Sequence, residues 1–112
     1  MNKYMNLSIV NTVKEMYNYL DTIFNTALIN NADRIVFLNT YNNQSSLKAN
    51  RFVVNYLKQD NYGNETVISM YDTMLEINNI NILYEAIDKF KDEYDDIPIE
   101  VWTDYSTDKV YW

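Results

Sequence analysis

Apolar residues recur at steps of three and four near the start of the chain. Between residues 6 and 31 this spacing places apolar side chains along one side of a helix. The recurring residues are Val10, Val13, Tyr17, Leu20, Phe24 and Ala27, and Ile9, Met16 and Ile23 widen the apolar side. The pattern predicts a long amphipathic helix that ends at Asn30 and Asn31.

A continuous apolar run at 34–38 (RIVFL) follows and predicts a strand buried on both faces, as in a parallel sheet. The polar residues 39–46 predict a loop whose Ser45 or Ser46 caps a second helix at about 46–59. The side chains that this helix would bury are Ala49, Phe52, Val53, Tyr56 and Leu57, and its opposite side would carry a basic stripe of Lys48, Arg51, Asn55 and Lys58. We expect the helix to end at the turn residues 60–64.

Residues 66–77 fit two structures. The opening TVISMY suits a strand, whereas Thr73 with Glu76 forms a capping-box pattern for a helix, and Asn78 and Asn79 offer a later helix start. In either case a helical stripe follows and Pro98 ends it. The residues of that stripe are Ile80, Leu83, Ile87, Phe90 and Tyr94.

The chain closes with two alternating segments, 99–104 and 109–112, around a turn at 105–107, which predict a hairpin. The full order is α-β-α-β-α-β-β in a single small domain over residues 1–112. It predicts an α/β or α+β fold whose mixed sheet ends in a C-terminal antiparallel hairpin. The chain has no apolar run near the ~18 residues of a membrane span and no signal-peptide core, so we expect a soluble, cytoplasmic protein without membrane contact.

The composition excludes several kinds of catalytic site. The chain has no His, no Cys and one Gly, which removes serine–histidine pairs, cysteine nucleophiles, imidazole ligands and glycine-rich phosphate loops. Carboxylate-only or Mg²⁺-dependent chemistry stays open, with candidates in Asp92, Glu93, Asp95 and Asp96, or in Asp104 and Asp108. We expect no enzymatic activity, no cofactor and no metal.

Negative charge is concentrated in the second half of the chain. Residues 1–64 carry four acids and six bases, whereas residues 65–112 carry twelve acids and three bases, and the total is −7. Along the last predicted helix, carboxylates at steps of three or four residues stand about 4.5–6 Å apart along the axis, close to the spacing of phosphates on a nucleic-acid strand. Such a row can occupy a nucleic-acid-binding groove, although a merely solvated helix face would carry the same pattern.

The chain is similar to small phage inhibitors as a class in its size, acidity, Tyr and Asn content and lack of catalytic residues. Uracil-DNA glycosylase inhibitors, anti-restriction DNA mimics and anti-CRISPR proteins belong to that class. The chain shares no motif with any one of them, so no residue roles carry over. Asn, Ile, Lys and Tyr, whose codons are AT-rich, supply 46 residues, which is typical of a low-GC bacterium or its phage.

We therefore expect a phage or mobile-element inhibitor that binds the basic surface of a host nucleic-acid-binding defence protein by mimicry, without binding nucleic acid itself. The residues expected to contact the partner are Glu85, Asp88, Asp92, Tyr94, Asp95, Asp96, Glu100 and Trp102, with Asp104 and Asp108 extending the acidic field. The alternative is a homodimeric structural or regulatory interaction domain. Its aromatic edge hairpin (Trp102, Tyr111, Trp112) would pair with a second copy.

Overall fold

The computed structural model describes residues 6–39, 51–68, 73–103 and 109–112. These residues form seven strands of one mixed sheet and two helices. In chain order the elements are β1 (Asn6–Val10), α1 (Val13–Ile29), β2 (Arg34–Asn39), β3 (Arg51–Gln59), β4 (Glu65–Val67), β5 (Thr73–Ile77), α2 (Ile80–Glu93), β6 (Ile99–Trp102) and β7 (Lys109–Tyr111). Neither described helix is long and apolar enough to cross a membrane.

The strands lie in the order β1-β5-β3-β2-β6-β7, and β4 pairs with the end of β3. β1 runs parallel to β5 and β2 parallel to β6, while β3 pairs antiparallel with β2, β4 and β5. α1 connects β1 to β2, and α2 connects β5 to β6. β7 is the edge strand at the far end of the sheet and pairs antiparallel with β6. The predicted fold class, a mixed α+β arrangement with a C-terminal hairpin, is confirmed, and the strands outnumber those predicted.

Both helices contribute to one hydrophobic core against one face of the sheet. Alternate residues of β1, β2, β3, β5 and β6 point into this core, as the period of two requires. The sheet residues of the core include Ile35, Phe37, Phe52, Val54, Leu75, Ile77, Ile99 and Val101. From the helices come Met16, Leu20 and Phe24 of α1 and Leu83, Ile87 and Phe90 of α2. The other strand residues lie on the opposite face, which we call the open face because no described helix covers it.

The patterns at 34–38, 80–94 and 99–112 are confirmed as β2, α2 and the β6–β7 hairpin. Of the two helix starts considered, the later one is correct, because the Asn79 side chain accepts a hydrogen bond from the Asn81 N–H. The predicted turn at 105–107 lies outside the described residues.

The first predicted helix begins later than its apolar spacing indicated. Residues 6–10 form β1, and Thr12 caps α1, its hydroxyl accepting a hydrogen bond from the Glu15 N–H at 3.1 Å. Ile9, assigned to the buried helical face, is 57% exposed on the open face. The Thr12 cap therefore sets the start of α1, and the apolar residues before Thr12 fit the helical spacing by coincidence.

The predicted helix at 46–59 is wrong where the structure describes it, because residues 51–59 form β3. Its aromatic and β-branched residues favour a strand, and burial alternates through Phe52, Val54 and Tyr56. The basic stripe is broken as a result, since Arg51 lies on the open face and Lys58 on the other. The helix alternative at Thr73 is also wrong, because β4 and β5 are strands. Residues 40–50, with the predicted loop and caps, lie outside the described ranges.

Replacing Phe52 with alanine tests the placement of β3 in the core. Phe52 is fully buried, so Phe52→Ala should lower the free energy of unfolding by about 3–5 kcal/mol, measured by urea denaturation. The matched control is Tyr62→Ala, which removes a side chain that is 90% exposed and should change stability by less than about 0.5 kcal/mol. A Phe52→Ala variant as stable as the control would contradict the placement.

Candidate partner-binding surface

The exposed side of α2 and the segment after it carry a dense set of carboxylates, which we call the acidic face. Its members are Glu85, Asp88, Asp92, Glu93, Asp95 and Asp96, and all six residues are exposed. The opposite side of α2 packs Leu83, Ala86, Ile87 and Phe90 into the core, so its polar residues must point outward. Two lysines, Lys89 and Lys91, lie in the same stretch, which leaves a net charge of −4 over residues 85–96.

The two lysines neutralise only part of the acidic face. The Lys91 side chain is 11% exposed, and its Nζ donates to the Ile97 carbonyl at 2.9 Å and pairs with Asp95 at 2.8 Å. Lys89 lies 3.6 Å from Glu85, and both side chains are more than half exposed, so this pair contributes little to stability. Among the described residues, the carboxylates of Asp92 and Asp96 form no ion pair or side-chain hydrogen bond. The charge of these two carboxylates is the least compensated on the face.

Two other members of the acidic face hold the fold together. The Asp88 carboxylate accepts a hydrogen bond from the Trp112 indole N–H, which ties α2 to the end of the hairpin. The Glu93 carboxylate accepts from the Tyr17 hydroxyl at 2.8 Å, which ties α2 to α1. This hydrogen bond is the main reason that the pKa of Tyr17 rises to about 12.

Tyr94 is brought together with the acidic face, as the sequence predicted. It follows α2 directly and is 43% exposed. Its ring lies 4.9 Å from the Phe90 ring and 6.3 Å from the Phe24 ring, measured between centroids. Tyr94 is therefore an aromatic side chain held in place by the core at the edge of a row of carboxylates.

Glu100 and Trp102, by contrast, lie on the open face, on the other side of the sheet from α2. Ile99 and Val101 of β6 are buried in the core, so the period of two turns Glu100 and Trp102 the other way. Glu100 is 5% exposed, so it does not extend the acidic face. Asp104 and Asp108 lie outside the described residues.

Glu100 belongs instead to an ion-pair cluster around Arg34. The guanidinium donates to Glu100 at 2.5 Å and to Glu65 at 2.6 Å, and the Trp102 indole N–H donates to Glu100 at 2.9 Å. Burial by itself lowers the pKa of Arg34, but the hydrogen bonds to Glu100 and Glu65 outweigh it and the pKa is raised. No local sequence pattern predicts this cluster, because Glu65 and Glu100 lie 31 and 66 residues from Arg34 along the chain.

Beside this cluster the open face has a hollow of about 290 Å³ with apolar walls. Its lining residues are Arg34, Val36, Leu38, Asn55, Leu57, Glu65, Val67 and Trp102. The Lys109 ammonium lies 4.0 Å from the centre of the Trp102 ring, a cation–π contact. Within the described ranges, no group of three or more acids is placed to hold a metal ion.

Glu93→Gln tests the tie between the acidic face and α1. Without the carboxylate, the pKa of Tyr17 should fall from about 12 toward 10.0, measured from tyrosine ring ¹³C shifts during a pH titration and assigned with Tyr17→Phe. Because folding raises this pKa, its contribution to stability is complete below pH 10 and is lost as pH rises toward 12. The control Asp92→Asn should leave the titration of Tyr17 within about 0.3 pH units.

Glu100→Ala tests the structural role of the buried carboxylate. It removes charged hydrogen bonds to Arg34 and Trp102, so the free energy of unfolding should fall by about 2–3 kcal/mol, measured by urea denaturation. Asp96→Ala, at an exposed carboxylate, should change it by less than about 0.5 kcal/mol. Equal stabilities of the two variants would contradict the structural role of Glu100.

Comparisons with known proteins do not assign a function. No family model, no curated protein and no solved structure matches this chain. We therefore infer its function from the charge and geometry of the described residues.

Proposed function

We propose that this chain is a small inhibitor from a phage or other mobile element that binds the nucleic-acid-binding surface of a host defence protein. It acts in the host cytoplasm, without catalysis, by occupying that surface in place of nucleic acid. The observation that carries the proposal is the acidic face, six exposed carboxylates against two lysines in twelve residues. The proposed function is therefore inhibition of the kind carried out by anti-restriction and anti-CRISPR proteins.

The spacing of the carboxylates supports nucleic-acid mimicry. Asp88 and Asp92 are one helical turn apart, about 6 Å along the axis of α2. Asp96 follows after the helix ends. A groove that binds phosphates with Lys and Arg gains affinity by releasing condensed counterions, and a row of fixed carboxylates interacts with the same side chains. The partner's basic groove is therefore the complementary surface for this face.

Tyr94 supplies an exposed aromatic side chain beside the charged residues of the acidic face. Interfaces depend on a few well-packed aromatic side chains near their centre, and tyrosine is common among them. Because the rings of Phe90 and Phe24 already support Tyr94, little side-chain entropy is lost when a partner covers it. Glu100 and Trp102 have no part in this contact, since they lie on the other side of the sheet.

The alternative function, a homodimer formed through the aromatic hairpin, is less well supported. Trp112 is tied to Asp88, and its ring lies 5.6 Å from the Tyr84 ring. Trp102 is covered on one side by Lys109 and hydrogen-bonded to Glu100. Two of the three aromatic residues of that hypothesis are thus engaged within the chain.

The triple substitution Asp88→Asn, Asp92→Asn, Asp96→Asn tests the proposed contact. In a pull-down from a low-GC bacterial lysate, the wild-type chain should recover a nucleic-acid-binding protein, and competing DNA or high salt should release it. The triple variant should bind that protein at least about tenfold more weakly, since three of the carboxylates are gone.

The matched control is Asp21→Asn, Asp33→Asn, Asp60→Asn, which changes the net charge equally at three exposed acids outside the acidic face. It should retain the partner within about threefold. Both variants should keep the wild-type circular dichroism spectrum, because asparagine can still accept the hydrogen bonds that aspartate accepts. If both triple variants lost binding equally, net charge alone would explain the loss. If the variant of the acidic face bound as well as the wild type, the acidic-face contact would be refuted.

A further inference from the structure

The described part of the sheet has three unpaired strand edges, at β1, β4 and β7, and they differ in protection. β4 and β7 have three residues each, and each contains a charge, Glu65 and Lys109 respectively. β1 has five residues, NLSIV, with no charge and no proline. Proteins usually protect exposed edges with short strands, charges, proline or bulges, because an unprotected edge pairs with other strands. Of the three, β1 alone has none of these features.

β1 also exposes apolar side chains beside that edge. Leu7 is 43% exposed and Ile9 is 57% exposed, and both lie on the open face. The strand register makes Leu7 the last member of a row of cross-strand neighbours over the sheet. From the edge inward the row is Leu7, Met74, Val53, Leu38 and Trp102. A strand added at β1 would extend this apolar row.

The charge distribution favours a second copy of this chain as the occupant. Two chains of net charge −7 repel each other most where their acidic faces meet. α2 begins beside β5, the neighbour of β1, but its acidic side points toward the far edge of the sheet. There Asp88 and Tyr84 contact Trp112, which follows the edge strand β7. Among the described residues, the charged side chains nearest to β1 on the open face are Arg51 and Glu76, which form an ion pair at 2.8 Å and together carry no net charge. Two copies can therefore approach through β1 while their acidic faces stay apart.

We propose that the chain forms a two-fold symmetric dimer in which β1 pairs antiparallel with β1 of a second copy. With the axis at Ser8, the middle residue of β1, Leu7 lies opposite Ile9 of the partner subunit and Ser8 opposite Ser8 of the partner subunit. The pairing satisfies backbone groups that the edge leaves unpaired and joins two sheets into one. It also places two pairs of apolar side chains in contact on the open face. This inference does not depend on the proposed function, since no target takes part.

Sedimentation velocity over a concentration series tests the association, with Ile9→Lys as the disrupting variant. The wild type should sediment as a dimer at high concentration and remain dimeric at 1 M salt, because the contact is backbone and apolar. Ile9→Lys should raise the dissociation constant at least about tenfold, since it removes both apolar pairs and brings two ammonium groups close together. Ile29→Lys is the control: Ile29 is 80% exposed at the end of α1, and its replacement should leave the dimer intact.

A cysteine cross-link tests the register. The chain has no cysteine, so Ser8→Cys introduces a single thiol. Directly opposite residues of antiparallel strands have Cα atoms about 4.5–5.5 Å apart, within the range that a disulfide spans. Mild oxidation should therefore convert Ser8→Cys to a covalent dimer, whereas Asn25→Cys, at an exposed site on α1, should form no covalent dimer.

A wild-type chain that sediments as a monomer at all concentrations would overturn the proposal. A dimer that Ile9→Lys leaves intact, or in which Ser8→Cys does not cross-link, would place the contact elsewhere and also overturn it. Circular dichroism and thermal unfolding of the variants separate a lost contact from a lost fold. Because both substituted side chains lie at the sheet edge and outside the buried core, the variants should unfold within a few degrees of the wild type.

Discussion

The structure depends on one constraint, that two helices cover a single face of a seven-stranded sheet. Burial on that face forces the central strands to alternate between the core and the open face. The alternation turns Glu100 and Trp102 away from α2 and brings Glu100 to Arg34. It also places Leu7 and Ile9 on the open face at the edge of the sheet. The position of the ion-pair cluster and the exposure of the two apolar side chains beside the β1 edge both follow from covering one face only.

The same burial produces the acidic face. α2 is fixed by Leu83, Ile87 and Phe90 in the core, so its carboxylates have only solvent to face. Solvation alone would explain an acidic helix face of this kind, but its carboxylates are not all alike. Those of Asp88 and Glu93 form hydrogen bonds within the fold, whereas those of Asp92 and Asp96 have no charge partner among the described residues. The distribution of charge therefore separates the molecule into an acidic helical end and a sheet edge at β1 without charge. We propose that the acidic helical end binds a nucleic-acid-binding protein and that the β1 edge binds a second copy of the chain.

Local patterns predicted the elements whose signals agree with each other. At α2, the apolar spacing, the Asn79 cap and the proline downstream all indicate one helix, and at 34–38 the run of β-branched and aromatic residues indicates a strand. The segment at 46–59 fits two structures, because Phe52, Val53 and Tyr56 match the helical spacing while Phe52, Val54 and Tyr56 match the strand spacing of two. The choice is made by β2 and β5, which pair with this strand from both sides. Within the acidic face, the sequence predicted that Tyr94 and the carboxylates of 85–96 are neighbours, because they lie on one helix and the segment directly after it.

The sequence by itself determined the lack of His and Cys, the position of α2 and the outward direction of its carboxylates. Each of these follows from composition or from residues within two helical turns of one another. The tertiary structure alone decided that Arg34 pairs with Glu65 and Glu100, that β3 is a strand, and that β1 is an edge. These features depend on which strands lie side by side and in what register. Register is set by burial over the whole sheet, so no local segment contains it.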